Sequence, residues 1–260
     1  MLKNFNEKFN ELTSLIKNSK STVVLSGAGI STMSGIPDFR STHGLYSDVW
    51  NGMNVEQILD IGFFNLHPDV FYAWAKDVWY KLEDYEPNIV HTTLAMMEKK
   101  GYLDGIFTQN IDMLHSRAGN KKVYEVHGSA KHQYCIQCGE HYDYETIAKI
   151  VLKDEVPHCT RCGSVIKPDI VFYGEGLNSS ILMRAEHMFS DCDLAIVLGS
   201  SLVVQPASSF PLYAAQKNKK IVIVNKMPTY LDEYATLHFD DLEELFNPLS
   251  AFINNLNNRN

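Results

Sequence analysis

Three short runs of consecutive apolar and β-branched residues constrain the fold of this chain most strongly. The runs are TVVL at residues 22–25, LAIVL at 194–198 and KIVIV at 220–224, and in none of them do polar and apolar side chains alternate. A continuous apolar strand is typical of a parallel sheet that is buried on both faces. We therefore predict an α/β fold that is built around a parallel sheet.

Further segments extend this pattern along the 260 residues. Strands are predicted at residues 22–25, 105–107, 123–126, 193–198 and 220–224. Helices are predicted at residues 68–82, 88–100, 178–189 and 207–217. An amphipathic helix is predicted near the amino terminus from the helical spacing of Phe5, Phe9, Leu12 and Ile16. Strands that alternate with helices indicate a Rossmann-like, doubly wound sheet. The polar end of the chain, NNLNNRN, is expected to fray.

Two regions interrupt the alternation of strands and helices. Residues 39–85 are rich in aromatic and loop residues, and residues 131–167 hold four of the five cysteines. We interpret both regions as insertions that form a smaller lobe within a single unit, residues 1–260. The predicted large Rossmann-like lobe comprises residues 1–40, 88–130 and 168–260. The predicted small lobe comprises a helical insertion at 41–87 and a cysteine module at 131–167, and the ligand site is expected between the lobes, beyond the carboxyl ends of the strands.

The balance of charge narrows the classes of function. The chain has 23 Lys plus Arg and 31 Asp plus Glu, a formal net charge of −8 at pH 7. Direct nucleic-acid binders are typically basic, so this class is disfavoured, and an acidic chain better suits a basic protein partner. No stretch approaches the roughly 20 apolar residues of a membrane span, and the first 20 residues lack a signal-peptide pattern. We expect a cytoplasmic protein that does not bind membranes.

The cysteines form two CxxC pairs and one single residue. Cys135 and Cys138 are separated by 20 residues from Cys159 and Cys162, a spacing typical of a zinc ribbon. Four thiolates complete the tetrahedron of a structural zinc site and leave no position for water or substrate. Two disulfides are disfavoured in a cytosolic chain, and an iron site is a minor alternative. Cys192 is interpreted as a small core residue.

Residues 27–31, with the sequence GAGIS, follow the first predicted strand. A glycine turn between a strand and a helix is typical of a dinucleotide-phosphate site, where backbone NH groups meet the pyrophosphate. Alone, this motif is weak evidence, because no third glycine stands at the usual offset. A dehydrogenase also needs an acidic residue at the end of a second strand, and residues 46–50 do not resemble a strand end.

A set of further motifs follows the glycine turn. They are GIPDFR at 35–40, TQNID at 108–112, VHG at 126–128, the paired CxxC motifs, VFYGE at 171–175, GSSLVVQP at 199–206 and VN at 224–225. In this order, from about residue 21 to residue 225, the chain resembles the sirtuin family, and in particular its bacterial members of the undifferentiated class. The ordered set is far more specific than any single motif.

The resemblance implies an NAD-dependent protein-lysine deacylase, with NAD as cosubstrate, a zinc ion held by the four cysteines, and acetylated lysine-containing proteins as partners. In the family, the carbonyl oxygen of acetyl-lysine attacks C1′ of the nicotinamide ribose and nicotinamide leaves. A histidine then deprotonates a ribose hydroxyl, and the acyl group ends on ADP-ribose. By position this histidine is His127. An imidazole has an ordinary pKa near 6.5, which suits a general base at cellular pH.

The resemblance also assigns the remaining site residues. Asn110 is implied to order the reacting groups, Ile111 and Asp112 to recognise nicotinamide, and Arg40 to meet a phosphate. The implied cofactor-binding residues are Gly27, Ala28, Gly29, Thr32, Asp38, Phe39, Arg40, Gln109, Asn110, Ile111, Asp112, His127, Gly199, Ser200, Ser201 and Asn225. Because Asn110 and Asp112 are two residues apart at a strand end, their side chains are expected on one side if the strand geometry persists. His91 and His115 are interpreted as structural.

Two segments resemble those between which the family binds its substrate peptide as an added strand, mainly through the peptide backbone. The implied peptide-binding residues are Val171, Phe172, Tyr173, Gly174, Val203 and Val204. Family members that prefer acidic acyl groups carry a Tyr-x-x-Arg pair, whereas this chain has Tyr72 and Ala75. We therefore predict a preference for acetyl and other short neutral groups. The second departure is Tyr173, where the family often has Phe.

Two other functions remain as alternatives at this point. A mono-ADP-ribosyltransferase would share nicotinamide release but would modify a protein. A non-catalytic NAD-sensing module would need no base, so the presence of His127, Asn110 and Asp112 disfavours it. A monomer is expected.

Overall fold

The structure is a computed structural model that describes residues 3–37 and 49–259. The strands are β1 (Thr22–Ser26), β2 (Val49–Trp50), β3 (Met53–Asn54), β4 (Gly105–Thr108), β5 (Val123–Glu125), β6 (Gly128–Cys135), β7 (His141–Asp143), β8 (Ile166–Ile170), β9 (Leu194–Leu198), β10 (Lys220–Val224) and β11 (Leu237–Phe239). The α-helices are α1 (Phe5–Asn18), α2 (Val55–Ile58), α3 (Ile61–Leu66), α4 (Pro68–Val78), α5 (Ile89–Lys99), α6 (Leu114–Arg117), α7 (Tyr144–Val151), α8 (Ser179–Asp191), α9 (Phe210–Gln216) and α10 (Leu242–Asn254). The 3₁₀ helices are Ala28–Ser34, Leu82–Asp84, Ala207–Ser209 and Asp232–Tyr234.

Six strands form one parallel sheet in the order β11-β10-β9-β1-β4-β5. Val24 of β1 pairs with Ile106 of β4 on one side and with Ile196 of β9 on the other. The order reverses between β1 and β9, and open α/β sheets bind ligands at such a reversal. The predicted α/β fold with a Rossmann-like sheet is confirmed.

Helices cover both faces of the sheet, because successive side chains of a strand point to opposite faces. Val24 packs with Ile16 of α1 in a core that also contains side chains of α5 and α10. Val23 and Leu25 pack in the opposite core with Phe189 of α8. The continuous apolar runs are therefore explained by burial on two faces.

A third core lies outside the sheet and is built largely from aromatic side chains. The ring centroid of Phe71 lies 5.2 Å from that of Phe64 and 5.1 Å from that of Phe172. Trp79 packs against the same group, 5.6 Å from Phe71. Next to these aromatics, β6 pairs antiparallel with β7 and β8, so the cysteine module and the helices of the first insertion share one core.

The boundaries of two predicted helices are wrong. The helix predicted at 68–82 ends at Val78, because the chain turns there and brings Trp79 and Tyr80 into the aromatic core at 4% and 3% exposure. The helix predicted at 207–217 is a 3₁₀ turn followed by α9, which carries a proline in its first turn. Strand β11 and helix α10 were not predicted from the sequence.

The expectation that the carboxyl-terminal residues fray is wrong for residues 254–259. The guanidinium of Arg259 donates to the carbonyl oxygens of Ile16, Lys17 and Ser19 and lies 3.9 Å from the ring centroid of Tyr102. These carbonyl groups end α1 and lack partners within the helix. Arg259 therefore satisfies the end of α1 and fixes the segment after α10.

Among the described residues, no helix combines the length and the apolar composition that a membrane span requires.

Candidate active site

Four loops that carry predicted site residues meet at one edge of the sheet. Ser26 at the end of β1 pairs with Thr108 of β4 and with Leu198 of β9, and Leu198 pairs with Val224 of β10. Because the strands are parallel and end in register, the loops that follow them begin side by side. The structure thus brings the GAGIS, TQNID, GSS and VN motifs together.

The glycine turn is shaped by its contact with the loop after β9. A Cβ atom on Gly27 would lie 2.8 Å from the carbonyl oxygen of Gly199, and one on Gly29 would lie 2.8 Å from the Cα atom of Gly199. Gly199 has a φ of +57°, in the left-handed region that favours glycine. The three glycines are therefore required because two backbones touch.

Two amide groups of the glycine turn donate to β9 and to the loop that follows it. The NH group of Gly27 donates to the carbonyl of Leu198, and that of Gly29 donates to the carbonyl of Gly199 at 2.8 Å. Strand-loop packing therefore uses both NH groups. Thr32, in the 3₁₀ helix that follows, is exposed and donates through its hydroxyl to the carbonyl of Gly29.

A buried hydrogen-bond network joins the first loop to the loop after β4. The hydroxyl of Ser31 donates to Oδ2 of Asp112 at 2.5 Å and accepts from Nδ2 of Asn110 at 2.9 Å. Asn110 also donates to the carbonyl of Gly27 at 3.1 Å. Ser31 was not among the predicted site residues, although it belongs to the GAGIS motif. Its hydrogen bonds to Asn110 and Asp112 depend on the tertiary fold and could not be predicted from the motif.

Asn110 and Asp112 do converge, but not through strand geometry. The strand β4 ends at Thr108, and both residues lie in the loop beyond it. Oδ1 of Asp112 accepts from the NH group of Leu114 at 2.9 Å, across Met113, which has a φ of +64°. Burial raises the pKa of Asp112, and the hydrogen bonds from Ser31 and Leu114 oppose that rise. The turn therefore holds a carboxyl group in an apolar setting.

A cavity of about 100 Å³ opens beside this network. Its walls are formed by Ala28, Ser31, Ile36, Pro37, Asp77, Val78, Trp79, Leu82, Tyr85, Asn110, Ile111 and Asp112. Apolar and aromatic groups make most of the wall, and its polar residues are Ser31, Asp77, Asn110 and Asp112. Such a site suits a flat apolar ring that carries one hydrogen-bonding substituent. A carboxamide NH₂ group could donate to the Asp112 carboxylate.

His127 is half-buried between β5 and β6, and its ring is oriented by the backbone. Its Nδ1 atom lies 3.0 Å from the carbonyl oxygen of Gln109. A carbonyl oxygen can only accept, so Nδ1 carries the proton of the neutral ring and Nε2 carries the lone pair. A Cβ atom on the next residue, Gly128, would lie 2.0 Å from the carbonyl oxygen of Asp169, which explains the HG sequence. The arrangement makes Nε2 the basic atom.

The loop after β9 is tied to the loop after β4. Nε2 of Gln109 donates to the hydroxyl of Ser200 at 3.0 Å, and this hydroxyl accepts from the NH group of Leu202 at 3.2 Å. Ser201 is exposed beside them. Asn225 follows β10, and its side-chain amide donates to the carbonyl of Met227 at 2.7 Å. Ser200 is therefore placed against the loop that carries Asn110, whereas the Asn225 amide shapes its own turn.

The two segments assigned to peptide binding differ in burial. The NH group of Val171 donates to the carbonyl of His127 at 2.9 Å, so the first segment begins directly beside the candidate base. Phe172 is 2% exposed and packs in the aromatic core, whereas Tyr173 is 40% exposed. In the second segment Val203 is 64% exposed. The Phe172 side chain therefore packs in the core, whereas the side chain of Tyr173 is exposed to solvent.

The remaining residues of these segments lie in irregular structure. Gly174 is exposed and has a φ of +90°, and Val204 is half-buried. Three predicted cofactor residues, Asp38, Phe39 and Arg40, lie outside the described residues.

The four paired cysteines form one cluster. The Sγ atoms of Cys135 and Cys162 are 3.4 Å apart, those of Cys138 and Cys159 are 3.6 Å apart, and all four lie within 4.8 Å of one another. Zn–S bonds of about 2.3 Å in a tetrahedron require S···S distances of roughly 3.8 Å. The donor set and its spacing therefore fit a structural zinc ion. Of the described residues, the cluster contains only these cysteines and no histidine.

The histidines interpreted as structural are both buried. Nε2 of His115 lies 2.9 Å from the hydroxyl of Ser26, and the ring centroids of His91 and His115 are 4.8 Å apart. Burial lowers the pKa of His91 to about 4, so this ring is neutral at pH 7. Cys192 is fully buried in the core, as predicted.

Comparisons with known proteins agree with the motifs. A sequence profile described as the Sir2 family matches residues 27–206. The chain is 44% identical over 233 residues to an NAD-dependent protein deacetylase of Thermotoga maritima, which covers 90% of this chain and 93% of the relative. It is 41% identical over 236 residues to an NAD-dependent protein deacetylase of Clostridium acetobutylicum, which covers 90% and 94%.

Solved structures show the same likeness. A structure of Sir2 with a p53 peptide and NAD⁺ has a TM-score of 0.83 and 41% identity, with coverage of 95% of this chain and 97% of that chain. A structure of Sir2 bound to an acetylated peptide has a TM-score of 0.82 and 39% identity, with the same coverage.

Proposed function

The chain belongs to the Sir2 family and is an NAD-dependent protein-lysine deacetylase, and from this premise we propose how its residues divide the reaction. NAD supplies the ribose that receives the acyl group and releases nicotinamide. The alternatives of mono-ADP-ribosyl transfer and of a non-catalytic NAD sensor are not favoured.

His127 acts as the general base through Nε2. The observation that carries this role is the contact between Nδ1 and the Gln109 carbonyl, which leaves the lone pair on Nε2. General-base catalysis by a positioned imidazole contributes roughly 10² to 10⁴ in rate. The proton that Nε2 accepts comes from a ribose hydroxyl of the cosubstrate, as the family resemblance implies.

Asn110 and Asp112 orient the cosubstrate. Asp112 and Ser31 line a cavity whose other walls are mostly apolar, which suits the nicotinamide ring and its carboxamide. Asn110 is held by Ser31 and by the carbonyl of Gly27. We assign nicotinamide recognition to Asp112, Ile111 and Ser31, and ordering of the ribose to Asn110.

The substrate peptide binds between residues 171–174 and 203–204. The first of these segments begins beside His127 through the bond between Val171 and the His127 carbonyl, which places a bound acyl-lysine near the base. Binding through backbone hydrogen bonds tolerates many sequences. The side chains of Tyr173 and Val203 are both exposed. We expect them to contact side chains of the bound peptide.

We propose that the chain is organised in two lobes. The large lobe is residues 1–40, 88–130 and 168–260, and the small lobe is residues 41–87 and 131–167. The separation of the aromatic core from the two cores that flank the sheet supports this division. The cysteine cluster lies at the edge of the aromatic core, where Cys135 and Cys159 are buried, so bound zinc would hold the small lobe together.

We also propose that the protein acts in the cytoplasm as a monomer, on acetylated proteins and without nucleic acid or membranes. The net charge of −8 supports this proposal, because it opposes binding to polyanions and to anionic lipid surfaces.

One experiment tests the reaction itself. Purified protein is mixed with NAD and an acetyl-lysine peptide, and mass spectrometry follows deacetylated peptide, nicotinamide and acyl-ADP-ribose together. Equal amounts of the three products are expected. Release of nicotinamide with ADP-ribose on protein, or without deacetylated peptide, would instead support transferase or hydrolytic activity.

A further inference from the structure

Lys167 is a charged residue in the interior of the protein. It lies on β8, and its side chain is 1% exposed. Burial lowers the pKa of Lys167, and the neighbouring carboxylate of Glu175 opposes that effect. A buried charge is costly unless it is paired and hydrogen-bonded, so the contacts of this ammonium group indicate what it holds in place.

The ammonium group contacts both ends of one segment. Its Nζ atom donates to the carbonyl of Ile170 at 2.7 Å and lies 3.3 Å from the carbonyl of Pro168, at the end of β8. It lies 2.9 Å from Oε2 of Glu175 and 3.9 Å from the ring centroid of Phe172. The chain from residue 168 to residue 175 therefore curls around one cation.

Glu175 connects the Lys167 ammonium group to the backbone of the turn. Oε2 of Glu175 accepts from the NH group of Phe172 at 2.7 Å, and the NH group of Glu175 donates to the carbonyl of Phe172 at 3.0 Å. Gly174, with a φ of +90°, completes the turn. One carboxylate thus joins the cation to the turn that contains residues 172–174.

The other side of the turn is held by the small lobe. The NH group of Tyr173 donates to the carbonyl of Leu59 at 2.8 Å, and the NH group of Ile61 donates to the carbonyl of Tyr173 at 3.0 Å. Two anchors therefore fix the segment, one through Lys167 and Glu175 and one through Leu59 and Ile61. The first anchor is the ion pair of Lys167 and Glu175. A buried ion pair often stabilises a fold no more than apolar packing of the same volume, so stability alone does not explain this pair.

We propose that Lys167 and Glu175 are positioning residues that hold the backbone of residues 171–174 in the geometry that binds the substrate peptide. The inference rests on the proposed function, because the peptide is assigned to this segment there. Neither side chain contacts the peptide in this account, and both act through the backbone of the turn. Loss of either should weaken peptide binding and leave the NAD site intact.

The test separates binding from turnover. Lys167→Met, Lys167→Arg, Glu175→Gln and the double variant Lys167→Met/Glu175→Gln are compared with the wild type, and Lys153→Met serves as control because Lys153 is exposed in the small lobe. Peptide affinity is measured by fluorescence anisotropy of a labelled acetyl-lysine peptide without NAD, and NAD affinity by calorimetry. Steady-state kinetics give KM for each substrate and kcat, and thermal unfolding reports folding.

We expect Lys167→Met to weaken peptide binding and to raise the peptide KM by about tenfold or more, as loss of a buried charged hydrogen bond requires. NAD affinity should not change. Glu175→Gln should have a smaller effect because its amide oxygen can still accept from Phe172, and Lys167→Arg should restore part of the affinity. In the double variant, peptide affinity should exceed that of Lys167→Met, since no unpaired carboxylate remains.

Several results would overturn the inference. One is unchanged peptide affinity in folded Lys167→Met, and another is an equal loss of peptide and NAD affinity, which indicates a general structural role. If Lys167→Met does not fold, unchanged peptide affinity in Glu175→Gln contradicts the inference equally. If the wild type binds the peptide but releases no product with NAD, the proposed function fails, while the binding comparison still decides the role of Lys167.

Discussion

The Nδ1 atom of His127 lies 3.0 Å from the carbonyl oxygen of Gln109. This contact fixes the tautomer of the neutral imidazole, because the carbonyl can only accept, and places the lone pair on Nε2. Gln109 follows β4 and its side-chain amide reaches Ser200 in the loop after β9. The candidate base is thus oriented by the same loop that carries Asn110 and Asp112.

Replacement of Ser31 tests the network that sequence reasoning missed. Ser31→Ala removes the hydroxyl that joins Asn110 to Asp112, so both groups should lose their orientation toward nicotinamide. We expect kcat/KM for NAD to fall roughly tenfold to a hundredfold, the cost of a lost hydrogen bond to a charged group, with weaker inhibition by nicotinamide. Ser116→Ala, which alters an exposed serine of α6, is the control. Wild-type kinetics in Ser31→Ala would contradict the network's role.

The buried carboxyl of Asp112 predicts a pH-dependent effect on stability. Burial raises the pKa of Asp112 in the folded state. The protonated carboxyl therefore contributes free energy of folding below the ordinary aspartate pKa, and this contribution is lost as pH rises through the raised pKa. Asp112→Asn should therefore raise Tm at pH 7, and the difference should shrink as pH falls toward 4. Thermal scans between pH 4 and pH 8 measure it, with Asp143→Asn, an exposed helix cap, as comparison. A Tm difference that does not vary with pH would contradict this reading.

Metal removal tests the cysteine cluster. Native mass spectrometry should show one zinc ion per chain, and Cys159→Ser should lose it because three thiolates remain. Since the cluster lies at the aromatic core, the variant should also lose thermal stability and activity. Cys192→Ala is the matched control and should retain the metal. A Cys159→Ser protein that folds and works normally without zinc would show that the metal is not structural.

The acyl preference follows from the absence of a cation. The Tyr72 hydroxyl donates to the Ile166 carbonyl in the small-lobe core, and Ala75 is fully buried. Position 75 therefore carries no cation that could pair with a succinyl carboxylate. We expect kcat/KM for an acetyl peptide to exceed that for the matching succinyl peptide by at least about 10²-fold, the cost of an unpaired carboxylate. Comparable values for the two peptides would refute the preference.

Much of the fold could be predicted from the sequence because local pattern and burial agree. The run TVVL became the central strand, and Asn88 and Asn178 cap the helices that begin after them. Helix ends were less predictable, since the turn after Val78 depends on the aromatic core that receives Trp79. Arg259 looked like part of a polar tail, because its partners at the end of α1 lie more than 200 residues away in sequence.

The candidate site could likewise be predicted only in part. The motifs predicted which loops meet, and their convergence follows from parallel strands in register. The contacts within the site could not be predicted. Ser31 reaches Asp112 across 81 residues, and the amide groups of Gly27 and Gly29 are used by strand-loop packing. Asp38, Phe39 and Arg40 lie outside the described residues, so their roles remain predictions.

The role of His127 as the general base is tested by measuring product formation in His127→Ala. Wild type and variant are compared at saturating NAD and acetyl-lysine peptide, with NAD affinity and thermal unfolding measured alongside. We predict that deacetylation falls roughly 10² to 10⁴-fold in a variant that folds and binds NAD normally. A folded His127→Ala enzyme that forms deacetylated peptide at close to the wild-type rate would show that His127 is not the base.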